Sequence, residues 1–230
     1  MNKLARYLRR GLRLLAMLLL PTTLLAQVPR QFDFAQWLPD MRKFDRQDSL
    51  TPPPAHPIVF TGSSSIVKWN SLTQDFPTRP VLNRGFGGSQ FPEALRYFSR
   101  LVVRYQPRQV FLYEGDNDIN AGASPEAVYQ DFLTFAQRMR QRLPTTELVF
   151  ISIKPSLARW ALWPKMQQAN AKISAYIKQH PQHLRYVEVG PAMLGADGKP
   201  RPELYIEDGL HMTPAGYAIW KRLMEPYLMK

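Results

Sequence analysis

The sequence predicts a three-layer α/β/α sandwich built on a five-stranded parallel sheet, and three observations carry that expectation. Five short apolar runs, at 58–61, 80–83, 109–113, 148–153 and 185–189, have the near-continuous hydrophobicity of strands buried on both faces. Between most of them lie segments whose apolar residues recur at threes and fours, the period of a helix packed on one side. Polar or glycine-rich stretches follow the runs, where an open α/β sheet keeps its ligand-binding loops. With 230 residues, 45% of them hydrophobic, the chain can bury one domain of ordinary size.

Residues 1–26 read as an export signal. Lys3, Arg6, Arg9, Arg10 and Arg13 precede the apolar run 14–20, and the segment ends at Ala26, the expected cleavage position. The apolar part is too short for the roughly 20 residues that a membrane-spanning helix needs, so a periplasmic or extracellular location is expected. Residues 27–57 form an N-terminal helix and a proline-rich approach to the fold. Phe32, Phe34, Trp37, Leu38, Met41 and Phe44 share one face, and Pro52, Pro53 and Pro54 end the helix. The domain proper is expected over 58–230. Its helices are predicted at 92–105, 125–143, 164–179 and 214–228. Ser124 before Pro125 and Thr213 before Pro214 supply a capping hydroxyl, followed by a proline whose missing N–H costs nothing.

The chain has 30 Lys and Arg against 18 Asp and Glu, and it stays basic without the leader. No basic strip is interleaved with aromatic residues, so nucleic acid is not an expected partner. An anionic envelope surface is the contact this charge would favour. The absence of cysteine excludes disulfides, thiolate metal sites and a cysteine nucleophile.

Four loop blocks hold the candidate chemistry: Gly62-Ser63-Ser64-Ser65, Gly85-Phe86-Gly87-Gly88-Ser89, Glu114-Gly115-Asp116-Asn117-Asp118 and Asp208-Gly209-Leu210-His211. In this order they resemble the SGNH, or GDSL-type, hydrolase family of serine esterases. Residues 152–160, with Arg159 and Trp160, are similar to a bacterial branch near platelet-activating-factor acetylhydrolase. The resemblance implies a flavodoxin-like sheet of strand order 2-1-3-4-5. It also implies a nucleophile at Ser64, a triad completed by Asp208 and His211, and oxyanion donors from Ser64, Gly88 and Asn117. Ser63 stands where the family has Asp, and Ser65 where it has Leu, so either could instead be the exposed hydroxyl.

The residues also support this chemistry directly. A serine hydroxyl needs a base to become a nucleophile, and among four histidines His211 has a carboxylate, Asp208, in its own short loop. The Ser64 and Gly88 N–H groups and the Asn117 amide are neutral donors suited to a developing oxyanion. No cofactor or metal is expected for this reaction. Lys154, Arg159 and Trp160, after the fourth strand, are candidate contacts for an anionic or sugar-like substrate.

The expected function is removal of acetyl or another short acyl group from a small-molecule, glycan or lipid ester. Two alternatives are a metal-dependent phosphoester hydrolase using Glu114, Asp116, Asp118, Asp208 and His211, and a catalytically silent glycan-binding module.

Overall fold

A computed structural model of the protein describes residues 31–229; the expected leader, 1–26, lies outside them. Five strands, β1 (Ile58–Gly62), β2 (Val81–Gly85), β3 (Gln109–Tyr113), β4 (Glu147–Ile151) and β5 (Leu184–Val187), pair in parallel in the order β2-β1-β3-β4-β5. The expected sandwich and strand order are both present. Strand ends shift by one or two residues from the apolar runs.

Every residue of β1, β3 and β4 is buried, because helices cover both faces. Alternation along the strands divides the core in two. Val59, Val110, Leu112, Leu148 and Phe150 face one layer, made by α1 (Leu38–Leu50), α4 (Phe91–Arg96), α5 (Phe98–Leu101), α7 (Pro125–Arg142) and α8 (Trp163–Gln179). Ile58, Phe60, Phe111, Tyr113 and Val149 face the other, with α2 (Ser64–Val67), α3 (Leu72–Asp75) and α9 (Pro214–Met224). Phe60 and Phe111, on adjacent strands, stack with centroids 4.5 Å apart.

Most helices fall where the periodicity puts them. Ser124 Oγ accepts from the Ala127 N–H and Thr213 Oγ1 from the Gly216 N–H, the two expected caps. The expected helix 92–105 is instead broken into α4, α5 and a 3-10 turn. A continuous helix would use the Leu95 carbonyl to accept from residue 99, but that carbonyl takes a 2.6 Å bond from Arg138 Nη1 of α7. The last helix stops at Met224 and passes into a 3-10 turn that begins at Glu225, with Pro226 in its first positions.

The strand order reverses between β1 and β3, so their carboxyl ends open a crevice, and the segments leaving them begin with Gly62 and α6 (Asp116–Asn120). Gly62 has φ +124°, and a Cβ there would lie 2.0 Å from the Tyr113 carbonyl oxygen of β3. Only glycine lets the chain leave β1 this close to its neighbour. Gly62→Ala is expected to cost about 3 kcal/mol or more, seen as a fall in Tm of roughly 10 °C. A variant melting within about 2 °C of the parent would show that the turn can be rebuilt without glycine.

Candidate active site

The turn after Gly62 carries the three serines into α2, and it is held from several sides. The Ser63 N–H donates to the Tyr113 carbonyl, Asn83 Nδ2 to the Ile66 carbonyl, and Tyr217 Oη to the Ser65 carbonyl. Ser63 and Ser65 are buried, at 2% and 3% exposure, while Ser64 is half-buried at the first position of α2. Of the three hydroxyls, Ser64 is the one that meets the imidazole: its Oγ is 2.8 Å from His211 Nε2.

His211 lies at the end of a tight loop. Asp208 Oδ1 accepts from the Leu210 and His211 amides, and Asp208 Oδ2 is 2.5 Å from His211 Nδ1. Partial burial alone would raise the Asp208 carboxyl. The bonds from the His211 ring and the two amides outweigh that and hold it at about 2. An ionised carboxylate can only accept, so Nδ1 carries the proton and Nε2 is left to accept from Ser64 Oγ. Hydroxyl, imidazole and carboxylate thus form one directed chain, suited to removing the serine proton.

The other expected donors lie on the loop after β2 and at the start of α6. Gly88 has φ +82° in the loop after β2, and a side chain on Gly87 would approach Ser64 Cβ to 3.9 Å. Among the described residues, neither the Ser64 nor the Gly88 N–H is used by a hydrogen bond. Asn117 belongs to the first turn of α6. Its Nδ2 donates to the Ser89 carbonyl at 2.8 Å, and its Oδ1 accepts from Arg159 Nη1 at 3.0 Å.

Of the three expected substrate contacts, the structure departs from the expectation at Lys154. Lys154 is fully buried, with Nζ donating to the Leu210 carbonyl at 2.8 Å and lying 3.8 Å from Asp116 Oδ2. Burial lowers its pKa against the pull of Asp116. It is an internal brace beneath the His211 loop, not a surface cation, because the apolar stem and the carboxylate partner draw it inward. Arg159 Nη1 is bound to Asp116 Oδ1 at 2.6 Å as well as to Asn117. Trp160 is partly buried, stacks on Trp163, and lines a cavity of about 330 Å³ with Leu157, Lys199 and Arg201.

The acidic groups of the 114–118 block are engaged with other partners. Asp116 serves Arg159, and Asp118 accepts from the Phe91 N–H. Glu114 accepts from Ser89 Oγ and is pushed well above the usual carboxylate range by burial and by the Asp118 charge. Among the described residues, no three His, Asp or Glu side chains gather to hold a metal ion. The sequence reading missed Asn83, Tyr217 and Trp37. Trp37 comes within 3.3 Å of the place where a Gly88 side chain would begin, and an aromatic that reads as one of several packing on the domain gives no sign of that contact.

Comparison with known proteins bears on the family and the fold. Residues 48–219 match the GDSL-like Lipase/Acylhydrolase family model. A Streptococcus pneumonia protein provisionally described as a platelet activating factor superposes with TM-score 0.73 at 22% identity, over 85% of this chain and 94% of its own. A GDSL-like lipase from Bacteroides thetaiotaomicron gives 0.70 at 21%, over 85% and 98%. A Bacteroides fragilis protein provisionally described as an acylhydrolase gives 0.70 at 22%, over 86% and 97%. Among curated proteins no sequence matches. With the family model spanning most of its length and the five-stranded fold in common, the chain belongs to the GDSL-like lipase/acylhydrolase family of serine hydrolases.

Proposed function

We propose that the protein is an exported esterase that removes acetyl or another short acyl group from a glycan or lipid through an acyl-enzyme on Ser64. The observation that carries this reading is the directed chain Ser64–His211–Asp208 beside unused N–H donors. In the acylation step, Ser64 Oγ bonds to the carbonyl carbon as its proton passes to His211 Nε2. The carbonyl electrons move onto oxygen, where the Ser64 and Gly88 N–H groups and the free hydrogen of Asn117 Nδ2 stabilise them. The C–O bond to the alcohol then breaks, and Nε2 returns the proton to the leaving oxygen. Water repeats the sequence on the acyl-enzyme and releases the acid. Asp208 stays ionised throughout and stabilises the imidazolium.

Export rests on the basic and apolar leader at 1–26. No helix among the described residues is long and apolar enough to cross a membrane. The basic composition of the chain would favour an anionic envelope surface nearby.

A serine-directed fluorophosphonate should label Ser64, because only an activated hydroxyl reacts near neutral pH. Peptide mapping reads the site, and an adduct on Ser63 or Ser65 would reassign the nucleophile. Asn117→Ala should lower kcat by roughly 10²–10³-fold with KM little changed, since the donor serves the tetrahedral state more than the bound ester. Near-normal kcat in the folded variant would remove Asn117 from the oxyanion site. Protein recovered from an exporting host should begin at or near Gln27, and N-terminal sequencing that returns Met1 would refute export by cleavage.

A further inference from the structure

Asn117 can serve an oxyanion only if its amide presents nitrogen, not oxygen, toward Ser64. The two ends of a side-chain amide are similar in shape, so something must break the symmetry. On one side, the Ser89 carbonyl can only accept, and it takes a hydrogen from Nδ2 at 2.8 Å. On the other, Arg159 Nη1 can only donate, and it lies 3.0 Å from Oδ1. A flipped amide would set two acceptors against each other at Ser89 and two donors against each other at Arg159.

Arg159 is itself locked in place. The same Nη1 is 2.6 Å from Asp116 Oδ1, the side chain is 13% exposed, and Asp116 is 6% exposed. The guanidinium therefore has little freedom to turn toward substrate with this nitrogen. It also withdraws electron density from the Asn117 carbonyl, which strengthens the opposite N–H as a donor through the polarised amide.

We infer that Arg159 is a positioning residue of the reaction: through Asn117 Oδ1 it fixes and polarises the amide whose Nδ2 donates to the tetrahedral oxyanion. This inference deepens the proposed esterase reading and rests on it for the role of Asn117. Arg159 comes from the segment after β4, whereas Asn117 follows β3, so the two meet only in the folded crevice.

The test is a cycle of Arg159→Ala, Asn117→Ala and the double variant, assayed on an aryl acetate. Arg159→Ala should lower kcat by about 10–100-fold and change KM less than about threefold. In the Asn117→Ala background the same change should cost no more than about twofold in kcat, because the amide it acts through is gone. Added guanidinium ion at non-denaturing concentration should restore part of kcat to Arg159→Ala but none to the double variant. Asp116→Asn combined with Arg159→Ala removes the stranded carboxylate; if Arg159→Ala alone does not fold, this pair takes its place in the cycle.

Wild-type kcat in Arg159→Ala would overturn the inference. So would a raised KM with unchanged kcat, which marks a substrate contact, or full additivity in the cycle, which marks independent structural damage. A normal kcat in Asn117→Ala would instead overturn the oxyanion assignment itself, so the two failures are distinguishable.

Discussion

The buried carboxylate of Asp116 accepts from Arg159 Nη1 and Tyr113 Oη and faces Lys154 Nζ, and each of these partners supports a different part of the catalytic surface. Arg159 reaches Asn117, the proposed oxyanion donor. Lys154 reaches the Leu210 carbonyl, one residue from His211, on the base side. Tyr113 ends β3, and its carbonyl anchors the Ser63 N–H at the nucleophile turn. The proposed nucleophile, base and oxyanion donor come from loops far apart in sequence, and one buried charge with its partners ties them to a common frame. Such a cluster adds little net stability against an apolar core of equal volume. Removing one member is a different matter, because it strands a buried charge at a cost of about 3–5 kcal/mol. The cluster is better understood as a device for register between loops than as a source of stability.

A second group of charges attaches the N-terminal helix. Asp48 pairs with Arg84, and Asp45 with Arg100 and Arg104. The Arg84 guanidinium also lies over the Phe44 and Tyr105 rings, at 5.1 and 4.8 Å from their centroids. The exposed Asp45 pairs contribute little by themselves, whereas the buried Asp48–Arg84 contact and the burial of Met41 and Phe44 fix the helix against the sheet. What this attachment positions is Trp37, just before α1, whose ring packs edge-on against Phe86 and beside Gly88. The helix ahead of the first strand thus helps shape the loop that carries Gly88, the proposed second oxyanion donor.

The sheet was legible because its central strands are buried on both faces, so each had to be a short apolar run whatever its neighbours. The four loop blocks were legible because chemistry there restricts residue type more tightly than packing does. Lys154 was misread for a physical reason: a lysine in a polar stretch looks solvated, and its burial depends on Asp116 and the Leu210 carbonyl, which arrive from other parts of the chain. The broken helix after Gln90 escaped notice in the same way, since Arg138 competes for the Leu95 carbonyl from a helix some forty residues later. In each case local pattern was overridden by a partner distant in sequence, which no window of periodicity can contain.

At position 63 the chain has a serine where the family carries an acid. Ser63 donates its N–H to the Tyr113 carbonyl, and its side chain makes no capping bond to α2. At 2% exposure it is one of the less accessible positions of the turn. A carboxylate there would need partners to offset its desolvation, whereas a neutral hydroxyl asks for much less. It would also place negative charge one residue from the atom that must bond to a carbonyl whose oxygen becomes an anion. Serine leaves the backbone course of the turn to Gly62, Asn83 and Tyr217. The Ser64–His211–Asp208 chain is complete without a carboxylate at position 63, so serine there removes no proton acceptor from it.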